Sequence, residues 1–181
     1  MFFLRKSSLE RLPVAMSGVR MGERALQIGI DDRSLAGAIA AKVGLSGHAA
    51  FALTSEGNAA RARSAGETAG VLVDVQVAPL PTLPFAADAF DVIVIHAGDR
   101  SLPALDDSAS VPLLREANRV LRGGGRLLVI EGGPRGIAGL LRPRARLLDP
   151  AATVAALTTA GFRAARPLAE REGYRFTEGL K

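Results

Sequence analysis

The chain has 181 residues, enough for one hydrophobic core and too few for two domains of ordinary size. Hydrophobic residues make up 48% of it, and no apolar run reaches the roughly 20 residues of a membrane-spanning helix. The lack of cysteine excludes disulfides, thiolate zinc sites and a catalytic thiol, and with no signal peptide in the first residues we expect a cytoplasmic protein.

The net charge of +5 is unevenly distributed. Residues 115–146 hold eight arginines and only two glutamates. Such a region attracts anionic lipid, nucleic acid or an acidic substrate, although a compositional bias toward arginine gives the same excess without any function. One tyrosine and no tryptophan argue against a base-stacking platform, so nucleic acid is not the expected partner.

In the first half of the chain, short β-like runs alternate with Ala-rich helical stretches. After a helical lead-in in residues 1–20, strands are predicted at residues 24–30, 49–53 and 71–77, and helices at residues 34–43 and 58–69. Asp31 or Asp32 is the expected N-cap of the first of these helices, and Gly44 its expected C-cap.

The second half continues the alternation and ends in a hairpin. Strands are predicted at residues 90–95, 126–131, 163–168 and 174–177, and helices at residues 110–121 and 151–160. A tight turn near Glu172 and Gly173 joins the last two strands. Residues 132–150, which are basic and broken by glycine and proline, form a loop or lid.

This order predicts a single α/β domain over residues 1–181. We expect a Rossmann-like, doubly wound, mostly parallel sheet of about seven strands, with helices on both faces and a C-terminal antiparallel hairpin. Ligands of such sheets bind beyond the carboxyl ends of the strands, at the point where the strand order reverses. The functional loops are therefore predicted at residues 29–33, 53–57, 78–82 and 96–102.

Several stretches resemble one enzyme family in their order and spacing. They are LPFAADAFDVIVIHA at residues 83–97, LLREANRVLRGGGRLLVIE at residues 113–131, and the closing helix and hairpin at residues 155–176. Together they resemble the class I S-adenosylmethionine (SAM)-dependent methyltransferases, in particular the subfamily with the ubiquinone/menaquinone methyltransferases. The resemblance implies SAM as cofactor and a small molecule as substrate, with hydrophobic molecules among the candidates.

The loop after the first strand departs from the family pattern. The family has an acidic residue at the strand end and a Gly-x-Gly-x-Gly turn, whereas this chain has Gln27, one glycine at Gly29, and Asp31 in the place of the next. The resemblance implies that Gln27, Gly29, Ile30 and Asp31 contact the cofactor. Gln27 accepts a hydrogen bond from the cofactor's ammonium group, or Asp31 supplies a displaced carboxylate. The alternative is that Asp31 only caps the helix.

The next two strand ends depart as well. Leu53 stands where the family has the acid that holds the ribose hydroxyls. The resemblance then assigns ribose contacts to Ser55 and Glu56 in a shifted loop, although Ser55 at the start of a helix has the same pattern. Pro79 replaces the aspartate that contacts the adenine amino group, and the neighbouring Leu80 is the expected cofactor contact there.

His96, directly after the fourth predicted strand, is the candidate catalytic residue. An imidazole at this position acts as a base near neutral pH, or it only makes a hydrogen bond at a strand end. Asp99 and Arg100 lie on the same loop, as substrate contacts or as exposed charges. His48 precedes the second strand, on the side away from the cleft, and no role is assigned to it.

Residues 136–148 mix leucine and isoleucine with arginine. In the resembled subfamily this region forms part of a substrate lid, and a basic, apolar surface also suits peripheral contact with an anionic membrane. The alternative is a loop whose leucines pack back on the sheet.

Two functions follow from the sequence. The first is SAM-dependent methyl transfer to a small molecule, and the second is a non-catalytic methyltransferase-like binding or regulatory module that has lost SAM. An NAD-dependent dehydrogenase is disfavoured because no G-x-G-x-x-G follows the first strand.

Overall fold

A computed structural model describes residues 12–133 and 148–181. The strands are β1 (Arg24–Ile28), β2 (His48–Leu53), β3 (Val73–Val77), β4 (Phe90–His96), β5 (Leu121–Gly132), β6 (Arg163–Arg171) and β7 (Tyr174–Leu180). The helices are α1 (Leu12–Met16), α2 (Arg33–Ala41), α3 (Glu56–Ala69), α4 (Val111–Val120) and α5 (Pro150–Thr159). None of the helices in these two ranges is long and apolar enough to cross a membrane.

The strands form one seven-stranded sheet in the order β3-β2-β1-β4-β5-β7-β6. The strands β1 to β5 run parallel to one another, and β7 is inserted antiparallel between β5 and β6. This arrangement confirms the predicted fold class, including the C-terminal hairpin. The strand order reverses between β1 and β4, so the predicted ligand crevice lies at the carboxyl ends of these two strands.

Two layers of helices cover the central strands. On one face, Ala36 and Ile39 of α2 pack in one cluster with Phe51 and Val94 of the sheet. On the other face, Leu113, Leu114 and Leu157 of α4 and α5 pack with Ile93 and Val129. Because β4 is covered on both faces, its sequence is a nearly continuous apolar run rather than an alternating one.

Several predicted boundaries were wrong by a few residues. The strand β1 ends at Ile28, two residues early, because Gly29 turns the chain with a φ of +76°. The helix α3 begins at Glu56 because Ser55 caps it. The helix α2 ends at Ala41 with Lys42 as its C-cap, so Gly44 is not the cap, whereas Asp32 is the N-cap as predicted.

The closing hairpin is longer than the sequence predicts. The strand β7 pairs with β5 from Tyr174 to Leu180, and the turn falls at Glu172 and Gly173 as predicted. Both turn residues have positive φ, the backbone that a two-residue hairpin loop requires. Within the predicted lead-in, Leu12–Met16 is helical. Residues 134–147 lie outside the described residues, and with them most of the loop or lid predicted at residues 132–150 and most of the membrane contact assigned to residues 136–148.

Candidate active site at the carboxyl edge of the sheet

The crevice between β1 and β4 is bounded by two loops that leave the sheet toward opposite faces. Residues 29–32 lead from β1 into α2, and residues 97–107 lead from β4 toward α4. The helices α2 and α4 pack on opposite faces of the sheet. A crevice with this topology is the usual ligand site of an open α/β sheet.

Gly29 is the point where the first loop touches the second. Its φ of +76° is strained for other residues, and a Cβ there would lie 2.8 Å from Leu102 Cδ1 and 3.0 Å from Asp99 Cβ. The backbone at Gly29 therefore lies directly against the side chains of the loop that follows β4.

The carboxylate of Asp99 is the centre of the polar contacts in the crevice. Asp99 is buried, and its Oδ2 accepts hydrogen bonds from the Ile30 amide at 2.8 Å and from Asn58 Nδ2 at 3.2 Å. Its Oδ1 accepts from the backbone amide and the hydroxyl of Ser101, at 2.9 and 2.7 Å. The bond from the Ile30 amide joins the two loops, the bond from Asn58 joins the second loop to α3, and the two bonds from Ser101 fix the shape of the second loop.

Two residues of α3 contact the loops: Arg61 holds the first loop from its other side, and Asn58 bonds Asp99 and Arg61. Arg61 donates to the carbonyl oxygens of Ile30 and Asp31 at 3.1 and 2.8 Å, and to Asn58 Oδ1 at 3.1 Å. Sequence reasoning missed both residues. Their spacing of three places them on one side of a helix that follows β2 at the same edge, which is the signal that would have found them.

Gln27 and His96 form a buried pair below the crevice. Gln27 Nε2 donates to the carbonyl of Ala36 at 2.9 Å, so Oε1 faces His96 Nε2 at 2.7 Å and accepts from it. Both amide atoms of Gln27 are thus engaged within the protein. His96 is fully buried, and its catalytic role stays a prediction.

Asp31 continues this chain of contacts toward the surface. Its Oδ1 lies 3.3 Å from His96 Nδ1 and accepts from the Asp32 amide at 2.7 Å. Burial alone would raise the pKa of Asp31, but the contact with His96 and the backbone amide hold it below its ordinary value of 3.8.

We expect the lowered pKa of Asp31 to make the protein less stable in acid. A carboxyl group whose pKa is lowered on folding stabilises the protein fully above its unfolded pKa and loses that contribution as the pH falls through the folded value. Asp31→Asn should therefore flatten the fall in the free energy of unfolding below about pH 5, measured by urea denaturation at each pH. Glu56→Gln, at an exposed carboxylate of the same edge, is the matched control, and equal slopes in wild type and Asp31→Asn would contradict the assignment.

The predicted ribose contacts, Ser55 and Glu56, follow the end of β2. Leu53 is buried in the core, and Ser55 caps α3 by accepting from the Asn58 amide at 3.3 Å. Glu56 is exposed and lies 3.5 Å from Arg63 Nη1. Thr54 Oγ1 is buried and has no hydrogen-bond partner among the described residues.

The structure thus brings together one part of the predicted site. Gln27, Gly29, Ile30, Asp31 and His96 lie in contact around the crevice. Among the described residues, no hydrogen bond joins Ser55, Glu56 or Leu80 to them directly. Leu80 packs, half-buried, with the cluster on the α4 and α5 face. The cofactor contacts proposed for these residues stay predictions.

A groove lies beside this site, between α2 and α3. Its volume is about 560 Å³, and Asp31 and Arg61 line the end nearest the crevice. Deeper in the groove the two helices approach closely, because a Cβ on Gly37 would lie 2.6 Å from the Ala65 carbonyl oxygen. This open space lies beside the crevice, between the helices α2 and α3.

Glu131, at the carboxyl end of β5, is a second buried acid near this edge. Its Oε2 accepts from the Leu148 amide at 3.0 Å, and Arg175 donates to the Leu148 carbonyl at 2.8 Å. Burial raises the pKa of Glu131. The two side chains together hold the chain where the described structure resumes after residue 133.

Comparison with known proteins gives one family match and many relatives. A family described as "Methyltransferase domain" matches residues 34–129. The ubiquinone/menaquinone biosynthesis C-methyltransferase of Ectopseudomonas mendocina is 35% identical over 124 residues, which are 67% of this chain and 46% of that protein. The same enzyme of Rhizobium meliloti is 44% identical over 73 residues, 40% of this chain and 26% of the relative. The chain spans about half the length of the first of these relatives.

Solved structures share the fold at low sequence identity. A SAM-dependent methyltransferase from Aquifex aeolicus has a TM-score of 0.73 at 16% identity, over 92% of this chain and 86% of that one. The [4+2]-cyclase SpnF has a TM-score of 0.66 at 19% identity, over 93% and 79%. At these identities the likeness concerns the fold alone.

Proposed function

Because this chain belongs to the family of methyltransferase domains, we propose that it transfers a methyl group from SAM to a small molecule. The observation that carries the proposal is the crevice where the strand order reverses, with Gly29 at positive φ on its floor. The names of the relatives, which are quinone C-methyltransferases, favour a hydrophobic acceptor.

The crevice has to change before SAM fits. Asp99 and Leu102 cover Gly29, and the Ile30 amide already donates to Asp99. The amide of Gln27 is turned inward to His96 and Ala36, and the carboxylate of Glu56 lies beside Arg63 instead of the crevice. In the arrangement described, the residues therefore do not fit the cofactor.

The same contacts favour a second candidate function. A crevice filled by its own side chains suits a binding or regulatory module that keeps the fold without SAM. The fold alone does not decide between the two, since function depends on the site grafted on a fold. One of its solved neighbours is named a [4+2]-cyclase.

Binding of SAM and of its demethylated product S-adenosylhomocysteine (SAH), measured by isothermal titration, separates the two functions. The methyltransferase predicts saturable binding of both, and transfer of a labelled methyl group from SAM to a small aromatic acceptor such as a quinol. No binding of either up to millimolar concentration would overturn the methyltransferase and favour the second candidate.

Variants of Arg61 and Arg63, tested in the same titration, locate the site at which the ligand binds. Arg61 holds the carbonyls of Ile30 and Asp31, whereas Arg63 is half-exposed and lies beside Glu56. We expect Arg61→Ala to weaken SAH binding about tenfold, a change of roughly 1.4 kcal/mol, because the first loop loses its support. Arg63→Ala is the control on the same helix. Equal affinities in the two variants would place the ligand elsewhere.

A further inference from the structure

We propose that Asp99 holds the crevice closed, and that ligand binds only after the loop of residues 97–102 moves away from Gly29. The proposal rests on the proposed function, because its probe is SAH. It also explains how a member of this family binds a ligand although its own side chains fill the crevice.

The first support is the choice of donors that Asp99 uses. The Ile30 amide lies in the loop that follows β1, and in open α/β sheets backbone amides of this loop face the ligand. Asp99 Oδ2 accepts hydrogen bonds from the Ile30 amide and from Asn58 Nδ2, at 2.8 and 3.2 Å. A carboxylate is a strong acceptor for such donors, so a ligand must compete with it.

The second support is steric. A Cβ on Gly29 would lie only 2.8 Å from Leu102 Cδ1, and a Cβ on Gly98 would overlap the Asp31 carboxylate. In each of the two loops, a glycine therefore packs directly against a side chain of the other loop. No ligand atom fits between Gly29 and Leu102, or between Gly98 and Asp31, while these contacts remain.

The third support is that the second loop holds its own shape. The Asp99 amide donates to the His96 carbonyl at 3.0 Å, and the Leu102 amide donates to the Asp99 carbonyl at 3.1 Å. Asp99 Oδ1 is bonded to Ser101 of the same loop. Movement of residues 99–102 about Gly98 keeps the bonds of Oδ1 and of the Leu102 amide, and it breaks those of Oδ2, the bond from the Asp99 amide to His96 and the packing of Leu102.

The expected effect follows from population arithmetic. The apparent dissociation constant equals the intrinsic one divided by the fraction of molecules in the open form. Removing the Oδ2 contacts raises that fraction, so Asp99→Ala should bind SAH about tenfold more tightly than wild type. Asp99→Asn keeps the size of the side chain, but its neutral amide oxygen is a weaker acceptor for the Ile30 amide than a carboxylate, so it should tighten binding by a smaller factor.

The test is isothermal titration of SAH into wild type, Asp99→Ala, Asp99→Asn and a control, with folding checked by circular dichroism. The control is Asp107→Ala, because Asp107 is an exposed aspartate of the same β4–α4 connection whose carboxylate accepts from Ser108 and Ala109 beside it. Tighter binding in both Asp99 variants, with Asp107→Ala unchanged, supports the closure.

The other outcomes separate the two proposals. Equal or weaker binding in folded Asp99 variants overturns the closure and leaves the methyltransferase standing, whereas no binding in any protein overturns both. If the Asp99 variants do not fold, nuclear magnetic resonance of the wild type tests the closure. Closure predicts that saturating SAH shifts the Leu102 methyl and Asn58 side-chain amide signals, and unchanged signals with SAH bound overturn it.

Discussion

Replacing Gly37 by alanine should lower the free energy of unfolding by about 2 kcal/mol, although the same change usually stabilises a helix. Gly37 lies in the middle of α2, where alanine is favoured by up to about 1 kcal/mol. A Cβ at this position would lie 2.6 Å from the carbonyl oxygen of Ala65 and 3.3 Å from Ala69 Cβ. The carbonyl belongs to the backbone of α3 and cannot rotate away, so the two helices must separate.

Gly57 provides the matched control for this prediction. It lies in the first turn of α3, it is exposed, and a Cβ there meets only Ser55 Oγ at 4.0 Å. Gly57→Ala should therefore stabilise the protein by about 0.5 kcal/mol or more. Urea denaturation of both variants gives the two free energies, and a stabilised Gly37→Ala would mean that α2 and α3 are not in close contact. In the destabilised variant we also expect weaker binding of SAH, because Arg61 holds the first loop from α3.

The second large effect is expected at His96. His96→Leu should lower the free energy of unfolding by about 3 kcal/mol, because it leaves the buried oxygen of Gln27 without a donor and removes the partner of Asp31. The other histidine is a natural control. His48 lies at the opposite edge of the sheet, about one-third exposed and 3.7 Å from Asp74, so His48→Leu should cost less than about 0.5 kcal/mol.

A double-mutant cycle distinguishes loss of a contact from loss of packing. Gln27→Leu and His96→Leu should each destabilise the protein, whereas the double variant should cost clearly less than the sum, since neither polar group is then left unpaired. Additive costs, or a His96→Leu variant as stable as His48→Leu, would show that the pair does not hold this part of the structure together.

Of the site residues that the sequence indicated, some lie where they were expected, whereas others have partners that the sequence did not indicate. Gly29 and Ile30 lie at the crevice, where the resemblance places them, because the glycine and the end of the strand are local features. Gln27 occupies the predicted strand position, but its partner is 69 residues away in the sequence. No local pattern indicates such a partner, and the same is true of Asp99 and Ile30.

The sequence by itself determined the architecture and the family. Apolar periodicity, caps such as Asp32 and Ser55, and the glycines of the turns act over a few residues, so the order of strands and helices was predicted and the methyltransferase resemblance is confirmed. Only the tertiary structure decided the state of the crevice. The contact of Asp99 with Ile30 exists because the sheet order places the loops after β1 and β4 side by side, and the closure of Gly29 by Leu102 depends on the path of a loop that has no periodic pattern.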